Sequence, residues 1–138
     1  MPDVRSLAFI FTLVAAASGC ATTPMPSSEA TPTQTILNPA LTRPGPGKVA
    51  QTFKRDAGFL SGACAFRLYA GGTPFAELRT GQIITIYLEP GEHIIGADSG
   101  FCGAGNAEMQ IVVRTDTPRT YRVSVDAGSS IRLQPTAF

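Results

Sequence analysis

From Val49 to the C-terminus, apolar and polar positions alternate with a period of two, and glycine or proline interrupts the alternation at short intervals. That is the pattern of half-buried strands joined by tight turns, because successive side chains of an extended chain point to opposite faces. It predicts eight strands, near residues 49–55, 66–70, 73–78, 83–88, 93–98, 107–114, 121–126 and 131–134. The first is expected at a sheet edge. The third carries Pro74, which also suits an edge because proline cannot donate to a ladder. Gly71-Gly72, Thr80-Gly81, Glu89-Pro90-Gly91-Glu92, Thr117-Pro118 and Ala127-Gly128-Ser129 supply the turns. Ala107, Met109, Ile111 and Val113 are expected to face inward, as are Tyr121, Val123 and Val125. No helical period of useful length follows residue 20. Strands at this spacing without helices between them predict an all-β chain, a small antiparallel β-sandwich of about seven to eight strands.

Two segments of different character precede this region. Residues 7–17 are almost wholly apolar, follow Arg5, and end in Ala17-Ser18-Gly19-Cys20. The run falls well short of the ~20 residues that cross a bilayer, and its flanks fit a secretory signal. Small residues beside a cut, followed by a thiol that can take a diacylglycerol, read as a bacterial lipoprotein signal over residues 1–19, with palmitate-type lipidation at Cys20. The bland alternative is an ordinary secretory signal with Cys20 a free thiol. Ala21, rather than aspartate, follows the cysteine, as in Gram-negative lipoproteins sorted to the outer membrane. A single acyl chain binds only reversibly, whereas the two or three of a mature lipoprotein hold stably. Membrane contact would then run through lipid on Cys20.

Residues 20–48 read as a tether. They are rich in Thr, Ser and Pro, a composition that opposes helices and ladders and buries too little apolar surface to offset ordering entropy. At ~3.1 Å per extended residue, such a disordered tether would hold residues 49–138 several tens of ångströms from the membrane. Ile36, Leu37 and Leu41 are exceptions that suit docking on the domain.

The chain has three cysteines. Assigning Cys20 to lipid leaves Cys64 and Cys102, and an oxidising compartment favours a structural disulfide between them. A metal site would need more ligands than two thiols and the single His93. A redox pair usually comes as Cys-x-x-Cys, which is absent. The net charge of +1, with 15% charged residues, provides neither a basic field for nucleic acid nor a polybasic patch for anionic lipid.

Catalytic chemistry is not legible. Ser61 lies in Phe-Leu-Ser-Gly-Ala rather than a Gly-x-Ser-x-Gly elbow, and Glu89, Glu92 and His93 lack a further ligand or pocket. The reading is therefore a protein that is not an enzyme and needs no cofactor or metal. The loops around residues 56–64 and 99–106 both contain Gly-Phe and would be joined by the disulfide at one end of the sandwich. Arg55, Asp56, Phe59, Leu60 and Phe101 are the candidate binding residues there. Gly100, Gly103 and Gly105 could present backbone N–H groups to an anion.

The stretch Arg67-Leu68-Tyr69, Gly72-Thr73-Pro74 and Ile86-Tyr87-Leu88-Glu89-Pro90-Gly91-Glu92-His93 resembles a PEGA-type module, although its turn reads Pro90-Gly91-Glu92-His93 rather than Pro-Glu-Gly-Ala. Through Arg55-Asp56-x-Gly58, Ala76-Glu77-Leu78 and Tyr87-Leu88-x-Pro90-Gly91-x-His93, residues 49–138 also resemble small bacterial lipoproteins carrying a domain of unassigned function. The resemblance implies an immunoglobulin-like or prealbumin-like sandwich at the cell envelope, and Ala21 after the cysteine adds the expectation of the outer membrane, facing the periplasm. Two roles fit: a protein-binding or structural module with an envelope protein partner, or a binder of a small or polymeric envelope ligand, such as peptidoglycan or a glycan, through the disulfide-linked loops.

Overall fold

The computed structural model describes residues 22–58 and 62–137. Cys20, Phe59 and Leu60 lie outside the described residues. In chain order the strands are β1 (Thr31–Pro32), β2 (Thr35–Ile36), β3 (Val49–Arg55), β4 (Phe66–Ala70), β5 (Thr73–Leu78), β6 (Gln82–Leu88), β7 (Gly91–Asp98), β8 (Asn106–Val113), β9 (Arg119–Val125) and β10 (Ile131–Thr136). They form two five-stranded sheets, ordered β1-β6-β3-β9-β10 and β2-β5-β4-β7-β8. The chain is an all-β sandwich, and the eight expected strands are β3 to β10.

The inner faces follow the period-two pattern. Val49, Gln51, Phe53 and Arg55 of β3 point between the sheets, as do Tyr121, Val123 and Val125 of β9, and all seven are buried. Phe53 stacks on Tyr121 with ring centroids 5.1 Å apart and meets Phe75 of the opposite sheet at 5.7 Å. The Tyr121 hydroxyl donates to Gln51 Oε1 at 3.2 Å, which satisfies both groups inside the core. Phenylalanine and tyrosine each remove a large apolar surface from water, so this trio joins the sheets at their centre.

Two expectations about β3 are corrected. It is a central strand rather than an edge, lying between β6 and β9. It also pairs with β9 in parallel, Phe53 opposite Tyr121, so the first sheet is mixed rather than purely antiparallel. Alternation reports which face a residue occupies and carries no information on strand direction or neighbours. Without β1 and β2, the sheets read β6-β3-β9-β10 and β5-β4-β7-β8. An immunoglobulin domain instead places its first, second, fifth and fourth strands together. Of the two expected forms, the order leaves the prealbumin-like one.

The expectation of a disordered tether from residue 20 to 48 is corrected over residues 22–48, which are built into the sandwich. Thr23 bridges Ala57, with Thr23 N–H to Ala57 O at 2.7 Å and Ala57 N–H to Thr23 O at 3.0 Å. β1 pairs in parallel with the start of β6. The chain then crosses to the other sheet, where β2 pairs with Glu77 and Ala76 of β5. A short 3-10 turn, Pro39–Thr42, brings Leu41 against the core. Proline and threonine suit this path because a strap along an edge pairs on one side only and tolerates a missing donor. The strap shields β6 and β5, which would otherwise end their sheets with unpaired groups.

β3, β5, β7 and β9 finish, and β4, β6, β8 and β10 begin, at one end of the sandwich. The disulfide between Cys64 and Cys102 lies there, with Cα atoms 6.2 Å apart across a sequence separation of 38. A loop of that length implies about 4 kcal/mol in the chain-entropy model. Urea unfolding should therefore show a clearly lower midpoint for Cys102→Ser, or for reduced protein, than for the oxidised wild type. An unchanged midpoint would mean that the bond does not staple the fold.

Candidate functional site

The disulfide end is where the sequence directs attention, and its loops are braced from several sides. After β7, the 3-10 turn Gly100–Cys102 closes on Gly103, whose φ of 70° is left-handed and favours glycine. Ser99 is buried; its N–H and hydroxyl both donate to Gly105 O at 3.0 Å. Ile131 N–H donates to Ala104 O at 3.0 Å, tying the loop to the first sheet. Gly100 N–H donates to the Asp98 carboxylate, so it already serves an internal anion. From this turn the Phe101 side chain projects wholly into solvent, at 110% relative accessibility.

Arg55 and Asp56 were expected on a binding loop, and both are buried instead. Arg55 ends β3 facing inward, with its guanidinium carbon 3.5 Å from the centroid of the Phe66 ring. It donates to the carbonyls of Cys64 and Leu78, the latter at 3.0 Å. Burial, followed by the neighbouring charge of Arg79, pulls its pKa down to about 10. The group is still charged at neutral pH. It fastens the two sheets and the disulfide loop together.

Asp56 lies on the outer face of the first sheet, beneath the strap. Arg122 of β9 grips its Oδ2 with Nη2 and with Nε, the latter at 3.0 Å, and the Thr22 hydroxyl donates to the same oxygen at 3.4 Å. Burial pushes the Asp56 carboxyl above its ordinary value, against the opposing pull of Arg122, the Met25 amide and Thr22. Lys54, one residue earlier and also buried, donates to the Met25 carbonyl. Burial lowers its pKa, and Asp56 raises it. These charges form an internal clasp for residues 22–25. The sequence offered one signal of it: three consecutive charged residues, Lys54, Arg55 and Asp56, at the end of an otherwise alternating strand.

Phe101 borders a shallow hollow of about 350 Å³ that also touches Cys64, Arg67, Tyr69, Glu77 and Asp98. Its floor is the outer face of the second sheet, where Arg67 is paired with Glu77 on β5 and Asp98 on β7. Arg67 holds Glu77 Oε1 with Nη2 at 2.7 Å and Nε at 3.0 Å. An aromatic rim with a paired cation and two carboxylates can stack against a flat ligand and exchange hydrogen bonds with its hydroxyls. In the sequence Arg67, Tyr69, Glu77 and Asp98 stand only as residues of three separate strands, and nothing local shows that the fold brings them together.

His93 lies at the opposite end, where its Nε2 is 2.8 Å from Glu89 O. That contact joins the two arms of the β6–β7 turn. Among the described residues, no group of three His, Cys, Asp or Glu side chains is placed to hold a metal ion. No model of a known protein family matches the chain, and no curated protein matches it.

Two predictions follow from the charges at this end. Arg122→Leu strands the Asp56 carboxylate, which has no exposed surface, and breaking one partner from a buried pair costs about 3–5 kcal/mol. The double change Arg122→Leu with Asp56→Asn should recover part of that loss in urea unfolding. A cost within the few tenths of a surface substitution would show that the clasp is not a buried ion pair. The second concerns Asp126, which accepts from Gly128 and Ser130 N–H groups at 3.0 Å and from Arg132 Nε at 2.7 Å. The Ser130 amide first, and then Arg132, hold its carboxyl below the ordinary value. A depressed folded pKa gives stability that is present above the ordinary carboxylate range and lost as pH falls through the folded value. The midpoint gap between wild type and Asp126→Asn should therefore be open at neutral pH and close on acidification.

Proposed function

We propose that the protein is a non-catalytic envelope lipoprotein, lipidated at Cys20, whose β-sandwich is a protein-binding or structural module on the periplasmic side of the outer membrane. The observation that carries this reading is the docking of residues 22–25 onto the sandwich. A body meant to search for distant partners gains from a long spacer, whereas one that supports an assembly beside the membrane gains from a fixed pose. The PEGA-like strand plan adds to this, being a scaffold plan rather than a catalytic one. A second reading, recognition of peptidoglycan or another glycan, is favoured by the hollow beside Phe101, whose aromatic and carboxylate lining suits sugar rings and hydroxyls.

The test is crosslinking in cells followed by pull-down from detergent-solubilised envelopes, comparing wild type with Cys20→Ala. The expected result is a stoichiometric protein partner that is lost, together with membrane fractionation, when the cysteine is replaced. Recovery of the protein alone, alongside co-sedimentation of the purified protein with cell wall, would replace the leading reading with the second.

A further inference from the structure

We infer that the disulfide-linked end of the sandwich is its membrane-contacting end, and that Phe101 enters the lipid headgroup region of the bilayer that holds Cys20. The inference rests on lipidation at Cys20, and it adds an orientation and a second point of membrane contact.

The argument begins with chain reach. An extended chain spans at most ~3.6 Å per residue, so the Cα of Cys20 lies within about 7 Å of the Cα of Thr22. Thr22 is fixed to the body. Its N–H donates to Val125 O at 3.1 Å, and its hydroxyl accepts from Val125 N–H at 3.0 Å. Thr23 and Ala57 exchange two further bonds. A Cβ on Gly58 would lie 3.0 Å from Thr22 Cα, so the two backbones are in close contact. The sandwich is therefore engaged from the second residue after Cys20 onward. Val125, Asp56 and Ala57 all lie at the end where β3 and β9 finish, which is also the end of the disulfide. The far turns stand one strand length away, ~20 Å for six or seven residues.

The surface at this end fits a bilayer interface. The exposed large apolar side chains among the described residues are Ile36, Leu37, Ile94, Phe101 and Val112. Ile36 and Leu37 belong to the strap, and Ile94 and Val112 lie on the outer face of the second sheet. Among the described residues, Phe101 alone of these stands on the disulfide-linked end. Aromatic side chains suit the boundary between acyl chains and headgroups, and the disulfide and the bonded loop present this one rigidly. The nearby guanidinium groups of Arg67 and Arg132 are each paired with a carboxylate at 2.7 Å, and exposed Arg79, which donates to the Ala63 carbonyl at 3.3 Å, adds a single cation beside the apolar contact rather than a polybasic patch. One phenylalanine cannot hold a protein on a membrane. Beside an acyl anchor it sets the tilt, turning Tyr87 and His93 toward the periplasm.

The chain contains no tryptophan, so Phe101→Trp introduces a single reporter at a fully exposed position that leaves the fold undisturbed. Tyr87→Trp, at the far end of β6, is the control. Full-length lipidated protein is reconstituted into vesicles of phosphatidylethanolamine and phosphatidylglycerol carrying bromine on the acyl chains near the headgroups. The expected result is that the Phe101→Trp protein loses about half or more of its emission while the Tyr87→Trp protein keeps its own. Equal quenching of the two, or none in either, overturns the orientation. Cys20→Ala separates the two readings. If it no longer floats with vesicles while neither reporter in the lipidated protein is quenched, the anchor stands and the orientation falls. If it floats as well as wild type, the anchor reading fails and the orientation fails with it.

Discussion

A guanidinium buried between two sheets is costly to desolvate, and the fold accepts that cost at Arg55 because several things are secured by it at once. The group lies over the Phe66 ring and donates to the carbonyls of Cys64 and Leu78. It therefore ties the end of β3 to the starts and finishes of strands in the facing sheet. Hydrogen bonds to a charged donor contribute more than neutral ones, and in a water-poor setting leaving those carbonyls unpaired would be expensive. With Arg55 in place, Asp56 is set on the opposite face, toward Arg122 and Thr22. The disulfide and the seat of the N-terminal segment thus share one support.

That segment performs a second service. Both sheets would otherwise expose a full edge at β5 and β6, and unpaired edges recruit other chains. A strap of only two short pairings, rich in threonine and proline, covers both without extending either sheet far. On the opposite side the last strand carries Pro135, a residue that discourages further pairing. The sandwich is consequently guarded at β5, β6 and β10, while β8 remains an edge of the second sheet, and its distinctive surface is concentrated at the braced end and on the outer face of that sheet.

Much of this architecture was readable in the sequence. Alternation identified all eight strands of the sandwich and the inward faces of β8 and β9, because burial on one face forces a period of two. The Cys64–Cys102 pairing was readable once Cys20 was set aside. Parallel pairing of β3 with β9 was not readable, since alternation is blind to direction. The strap was misread because composition predicts disorder only when a segment lacks a partner, and Thr22, Thr23 and Lys54 make their bonds to backbone groups far away in sequence. Arg55 and Asp56 were read as binding-loop residues, which assigns them to solvent, and both are buried. Charge at the end of a strand ordinarily means a loop, and only the packing of Phe66 and Arg122 reveals otherwise.

The bonds between Thr22 and Val125 join residues separated by 103 positions. Contacts so distant in sequence form late, because a long loop must be closed before they contribute. β3 likewise waits for β9 on one of its sides. The first residues behind Cys20 therefore find their seat only when nearly the whole chain has emerged. A polypeptide wired in this way stays incomplete through most of its emergence, and becomes a finished body only once its last strands are free to pair.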